Sequence, residues 1–254
     1  MTDITFYHED IYKGNLILVN KAYPLIQSET PTLLPADDNY SNIPMEINAS
    51  KILTNLMKEV NCKDRIIPVS GYRTCEEQSR IYNTSLIDNG MEFTTSYVAL
   101  PNHSEHQSGL AIDLAMKHGD MDFIRPHFPY EGICNEFRIK APLYGFIERY
   151  PQGKENITGI AHEPWHFRYV GFPHSKIITD QGISLEEYIE KLKSYRYVNK
   201  HLYIEHHKQT VEIFYVCLSN AYSVKICLKD NILYQVSGNN VDGVIVTLWR
   251  KNND

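Results

Sequence analysis

No long basic run interrupts this sequence, and 31 acidic side chains outnumber 25 basic ones to give a formal charge of −6. That balance disfavours non-specific binding to nucleic acid or an anionic membrane, so neither partner is expected. Long apolar runs are missing too. The longest near the start, Leu16-Ile17-Leu18-Val19, is far short of the roughly 20 residues a helix needs to span a bilayer. The first residues are polar and acidic, without the basic end and apolar stretch of a secretory signal, so action in the cytoplasm is expected. Cysteine is sparse: Cys62, Cys75, Cys134, Cys217 and Cys227 make an odd set without close metal-type pairs. Free buried thiols in a reducing compartment are the expectation, and none sits in a nucleophile motif. Internal repeats and low-complexity tracts are absent as well.

What is present is an ordinary globular composition, 43% apolar and 22% charged over 254 residues. A chain of this size buries a core without disulfides or a structural metal, as one large domain or a medium and a small one. Residues 1–43 read as irregular, with one short strand at 16–20; Pro24, Pro31 and Pro35 mark extended wrapping chain. Ile47, Ile52, Leu53, Leu56, Met57 and Val60 have helical spacing. A strand at 65–70 runs into Gly71-Tyr72-Arg73. Thr74 with Glu77 then forms a capping box, opening a helix to about Asp88 that stops at Asn89-Gly90. Arg73 therefore sits at a strand-to-helix corner, a place that projects side chains into clefts. After a polar loop at 101–108, Leu110, Ile112 and Leu114 alternate with Ala111, Asp113 and Ala115 in a strand over 109–116. A helix within 131–143 and a short strand at 145–150 follow. Both ends of 157–170 alternate like a strand, and Ser184 with Glu187 opens a helix to about Tyr195. From 198 to 250, short alternating runs rich in Val, Ile, Tyr and Thr are broken by turn residues. That is hairpin grammar, and it predicts a small all-β appendage.

The densest chemistry lies at 162–169. Its first five residues, His162-Glu163-Pro164-Trp165-His166, spell H-E-x-x-H, which on a helix holds zinc with two imidazoles and uses the Glu as base. Pro164 would then stand inside that helix, at a cost of about 3 kcal/mol. The flanks 157–161 and 167–170 favour strand. On a strand, residues four apart lie roughly 13 Å apart, too far to share one ion. Other donors stand upstream in Ser104-Glu105-His106-Gln107-Ser108-Gly109-Leu110-Ala111-Ile112-Asp113. His106 and Asp113 can meet across a turn at Gly109, and His166 completes a His-Asp-His set. Three protein ligands with one open position is the pattern of a catalytic zinc site, and Glu163 is left free as a base.

These residues carry a resemblance. Ser-Gly-Tyr-Arg-Thr (70–74), the 104–113 run and Glu-Pro-Trp-His-Phe-Arg-Tyr-Val-Gly (163–171) resemble the three motifs of zinc D,D-peptidases of the VanY/VanX type. Leu-Val-Asn-Lys-Ala-Tyr-Pro-Leu (18–25) resembles the start of that family, and Pro-His-Phe (126–128), Ile-Thr-Gly-Ile (157–160) and Leu-Glu-Glu-Tyr (185–188) are similar to the VanXY group within it. The likeness spans about residues 15–195. It implies an α+β fold with a central, largely antiparallel sheet and flanking helices, of the hedgehog-like kind, in a catalytic domain over 1–196. The β-rich appendage at 197–254 lies outside it. It also implies one Zn2+ per chain held by His106, Asp113 and His166. Glu163 would be base and then proton donor, and Arg73 would stabilise the oxyanion. Gln78 and Ser104 match positions that touch substrate in similar enzymes. The implied substrates are small peptides ending in D-Ala-D-Ala, cut by a cytoplasmic dipeptidase and carboxypeptidase active in vancomycin resistance.

Competing readings differ in what they expect. A D,D- or L,D-carboxypeptidase without dipeptidase action shares these motifs, and a panel of dipeptide, tetrapeptide and pentapeptide substrates separates the two. A non-catalytic zinc module of the same fold would hold metal without turnover; Glu163 and Arg73 argue against it. A helical H-E-x-x-H protease would lose zinc on His162→Ala. Singly, each site residue has a plainer reading: His106 as a loop imidazole, Asp113 as a strand-end residue, Arg73 as an ion-pair partner. Glu105 reads as solvent-facing or as supporting a ligand from behind, and Trp165 as packing or a cleft wall. His103, His118, His127, His174 and His201 match no ligand pattern. Three roles stay open for the appendage: pairing two chains into a homodimer, bracing the catalytic part, or narrowing access to it.

Overall fold

The computed structural model describes residues 1–26, 30–37, 40–117, 122–207 and 209–251; His118 lies outside them. In chain order, the elements begin with β1 (Thr2–Tyr7), β2 (Leu33–Pro35), β3 (Pro44–Glu46), α1 (Ile47–Glu59), β4 (Ile66–Ser70), α2 (Cys75–Tyr97) and β5 (Ala111–Met116). There follow α3 (Gly132–Lys140), β6 (Phe146–Tyr150), the single turn α4 (Glu155–Thr158), β7 (Glu163–Tyr169), α5 (His174–Gln181) and α6 (Leu185–Leu192). Five strands close the chain: β8 (Leu202–His206), β9 (Gln209–Cys217), β10 (Ser223–Leu228), β11 (Leu233–Gly238) and β12 (Gly243–Lys251). The fold is α+β with antiparallel sheets, as expected.

Two compact units emerge: Val19–Ser184, and Met1–Leu18 together with Leu185–Asp254. This partition differs from a division at 196/197 with the N-terminus in the catalytic part. In the first unit, four strands form one sheet in the order β4-β5-β7-β6, every pair antiparallel. Ile112, Leu114, Phe146 and Phe167 are completely buried in it. α1 starts as its spacing predicts, capped by the Glu46 carboxylate, which accepts from the Asn48 and Ala49 amides. The Thr74–Glu77 capping box is present at the start of α2. Gly90 breaks α2 with a non-helical φ of 80°, where the stop was expected, but a further helical stretch runs on to Tyr97. The expected strand at 157–161 is absent. Glu155–Thr158 is a helical turn closed by Gly159 at φ 75°, so only the second half of that alternation is strand.

The second unit holds the expected all-β region, with sheet order β11-β12-β9-β8 and a separate pair β1-β10. The N-terminus, read as irregular, supplies β1: Ile4 pairs with Ile226 and Phe6 with Val224. Phe6 joins Phe214, Val216, Ile226, Leu228, Val244, Val246 and Leu248 in one apolar cluster drawn from both sheets. The strand expected at 16–20 does not form. Its buried chain is tied by single bonds instead: Leu16 N to Ser237 Oγ at 2.8 Å, Leu18 N to Asn239 O at 3.0 Å, and Asn240 Nδ2 to Leu18 O at 2.8 Å. All five cysteines are unpaired, but only Cys62 and Cys134 are buried.

Candidate metal centre and active site

Strand register assembles the site. Asp113 on β5 lies opposite His166 on β7 and, on its other side, opposite Ser70 at the end of β4. A register shift between Pro68 and Ser70 ends the regular pairing of that edge strand and leads the chain into Gly71-Tyr72-Arg73. Glu163, the first residue of β7, faces Tyr150 on β6.

His106 comes from the 3-10 turn Glu105–Ser108, which ends at Gly109 in the left-handed region, φ 74°. Its Nδ1–H donates to the Gly71 carbonyl at 2.7 Å, so Nε2 points inward, 3.2 Å from Asp113 Oδ2. Gly71 is confined to glycine because a Cβ there would lie 2.2 Å from the Pro44 oxygen. His166 Nδ1 stands 3.0 Å from Asp113 Oδ1 and 3.7 Å from Glu163 Oε2. One donor atom from each of His106, Asp113 and His166 lies within 4.8 Å of the others, and all three residues are buried. Donors around one tetrahedral zinc stand about 3.3 Å apart, so two imidazole nitrogens and a carboxylate at these spacings fit that ion.

Arg73 reaches the same point from its corner. Its Nη2 donates to Asp113 Oδ2 at 3.1 Å, Nε to Ser70 Oγ at 2.8 Å, and Nη1 to Gln78 Oε1 at 3.3 Å. Gln78 is fixed in turn by its bond to the Ala99 carbonyl at 2.8 Å. Arg73, Gln78, Ser104, Glu163 and Trp165 line one cavity of about 300 Å³ around the triad. Every site residue expected from sequence is thus in one place. Trp165 is both buried and a wall of that cavity.

The charges inside are unevenly poised. Burial lifts the Glu163 carboxyl to about 8, with Asp113 adding to the rise and His166 and Arg73 opposing it. Burial also lowers His106 to about 4, helped by the Arg73 charge. Burial would raise Asp113, but the attraction and hydrogen bonds of His106 and His166 hold it well below the usual carboxylate range. A carboxyl that exchanges its proton near neutrality beside a permanently ionised one is the arrangement of an acid–base group next to a ligand.

Two features escaped the sequence. Glu105 is completely buried between Arg149 and Arg168, both also completely buried. Both arginines sit in strands that already hold other polar residues, Glu148 in β6 and Glu163 and His166 in β7, so the sequence offered no signal that singled them out. His162 stands outside the triad. Its Nε2–H donates to Tyr130 Oη at 2.7 Å, and that hydroxyl donates to Glu148 Oε1 at 2.5 Å. Arg138 closes the group, donating to Glu148 Oε2 at 2.6 Å and to the Pro164 carbonyl at 3.0 Å. The helical H-E-x-x-H geometry is therefore absent, since Glu163 and His166 lie on a strand.

A His-Asp-His set beside a carboxylate, assembled by this antiparallel sheet and the turn before β5, is the arrangement of a metallopeptidase. The chain belongs to the VanY family of D-alanyl-D-alanine carboxypeptidases, whose match covers residues 42–172. It is 44% identical over 183 residues to the bifunctional D-Ala-D-Ala dipeptidase and carboxypeptidase VanXYC of Enterococcus gallinarum, covering 70% of this chain and 95% of that one. Among solved structures it resembles the vancomycin-resistance D,D-dipeptidase VanXYg, bound to a D-Ala-D-Ala phosphinate analogue. There the TM-score is 0.95 and the identity 52%, over 98% of this chain and 99% of the other. A VanY D,D-pentapeptidase variant solved with Zn(II) matches at TM-score 0.56 and 32% identity, over 69% of this chain and 98% of that one.

Proposed function

We propose that this enzyme hydrolyses the dipeptide D-Ala-D-Ala and removes the terminal D-Ala from peptidoglycan precursors, contributing to glycopeptide (vancomycin) resistance. The observation that carries the reading is that Glu163, beside His166, and Arg73, beside Asp113, line the same cavity as His106, Asp113 and His166. Those three residues would hold one zinc ion per chain. When bound, such an ion acidifies water and polarises a carbonyl oxygen.

The protein's own groups do the rest. Glu163 takes a proton from the attacking water as its oxygen bonds to the carbonyl carbon. It returns that proton to the amine nitrogen as the C–N bond breaks. In the protein alone, burial raises the proton affinity of this carboxyl, which suits a group that takes up a proton before returning it. The Arg73 guanidinium holds the charge that develops on the carbonyl oxygen. Donors of this kind contribute about 3 kcal/mol, roughly two powers of ten in rate. Gln78 and Ser104 would contact the substrate, and Gln78 already orients Arg73. The cytoplasm, where such precursors are made, is the proposed place of action. Among the described residues no helix is long and apolar enough to cross a membrane.

The test is a panel of D-Ala-D-Ala, tetrapeptide and pentapeptide substrates given to the zinc-loaded protein and to Glu163→Ala. Free D-alanine is expected from dipeptide and pentapeptide, with a loss of about 10²- to 10⁴-fold in the variant. Release from the pentapeptide alone would leave a carboxypeptidase. Release from neither would sink the proposal.

A further inference from the structure

Among the described residues, two buried side-chain atoms lack a hydrogen-bond partner: Glu105 Oε2 and His166 Nε2. They face each other at 3.5 Å. The other Glu105 oxygen, Oε1, accepts from Arg149 Nε at 2.8 Å and from Arg168 Nη1 at 2.6 Å. Three charged side chains are thus withdrawn completely from water directly behind one imidazole. Apolar side chains of similar volume generally serve stability as well as or better than a buried ionic cluster, so its placement points to a use other than stability.

That use follows from donor and acceptor chemistry. A carboxylate gripped by two guanidiniums only accepts. His166 Nε2 must then carry the hydrogen that points at it, and Nδ1 is left as the atom free to take either a proton or a cation. Nδ1 is the atom that faces Asp113 and Glu163. His106 is fixed in the opposite sense, with Nδ1–H on the Gly71 carbonyl and Nε2 inward. The two rings meet nearly at right angles, 89° between planes, and present different nitrogens to one point.

We propose that Glu105, clamped by Arg149 and Arg168, is a positioning residue that fixes His166 as the Nε2–H tautomer and aims its Nδ1 lone pair at the metal. The inference rests on the metal-centre reading above. A carboxylate behind a ligating imidazole orients the ring and raises its basicity, and its loss typically weakens metal binding 10- to 100-fold. The two arginines give the carboxylate a second duty, turning its Oε1 away from the cation site so that Glu105 supports a ligand without becoming one.

Imidazole nitrogen–proton correlation spectra of the full-length wild-type protein, recorded with and without zinc, test the tautomers directly. On zinc addition His166 is expected to keep Nε2–H and shift at Nδ1, while His106 keeps Nδ1–H and shifts at Nε2. Coordination of His166 through Nε2 would overturn the proposal. No zinc-dependent change at either ring would sink the metal reading, and this inference with it. Glu105→Gln is then titrated with zinc against a competing chelator. The expected result is a dissociation constant raised about 10- to 100-fold and a moved or broadened Nε2–H signal. If circular dichroism shows that this variant does not fold, Glu105→Gln/Arg168→Gln, which removes an anion and a cation together, is read in the same way. An unchanged zinc affinity with an unchanged Nε2–H signal would leave Glu105 purely structural and defeat the idea.

Discussion

His174, the first residue of α5, is buried, and burial lowers its imidazole from 6.5 to about 3. The unfolded chain therefore binds a proton between those values that the folded chain does not. Stability contributed by this neutral ring is complete above 6.5 and is lost as pH falls toward 3, at up to about 1.4 kcal/mol per pH unit. Denaturant unfolding at pH 7.5 and 5.0 should show a smaller difference for His174→Gln than for wild type; equal differences would refute the assignment. At this scale the sequence was legible where residues act by type and order. His106, Asp113, His166, Glu163 and Arg73 stand out because imidazoles and carboxylates are metal-binding and acid–base groups, and Arg73 is a cation at a strand-to-helix corner. Glu105 was ambiguous, because its meaning depends on Arg149 and Arg168, which come from β6 and β7, more than forty residues away. His162 was set apart from the ligands by Pro164, and it stands outside the group of His106, Asp113 and His166. Its actual partners, Tyr130 and Glu148, could not be read from the pentapeptide.

Among the elements, β5 depends most on a single position. Gly109 ends the turn that carries His106 and begins the approach to Asp113, at φ 74°. Its carbonyl accepts from the Glu46 amide at 2.9 Å, and a Cβ would meet that same nitrogen at 3.0 Å. Gly109→Ala should cost about 1–2 kcal/mol for the left-handed backbone alone, with more from crowding. The midpoint of thermal unfolding should fall by about 2–4 °C or more. A variant as stable as wild type would show that the turn relaxes freely. The elements that sequence foretold, α1, β4, β5, β6 and β7, have local causes: apolar period, capping and a proline that resists a helix. α4 was misread because Ile157-Thr158 has strand propensity, whereas one turn of helix is decided by its surroundings and the glycine that follows. β1 was missed despite its alternating Ile4 and Phe6, since its ladder partner β10 is more than two hundred residues further on.

Taken whole, the chain forms its second unit from both of its ends. Phe6 and Ile11 are the buried N-terminal contributions to the core that Phe214, Ile226 and Val246 otherwise fill. Phe6→Ala should remove about 3 kcal/mol or more from that unit. Calorimetry should register it as a lowered transition, and an unchanged trace would mean that β1 adds no stability there. The same feature bears on the order in which the molecule is made. Val19–Ser184 is continuous, so the strands of its sheet are synthesised before Ser223–Leu228 and can pair without it. Thr2–Tyr7 must wait for Ser223–Leu228 to be synthesised before its ladder can close. A loop of that length is slow to close, and until then an unpaired strand edge is exposed to other nascent chains. The enzyme's vulnerable interval during biogenesis thus lasts until Ser223–Leu228 has been made, and it falls on the unit that carries none of the metal-centre residues.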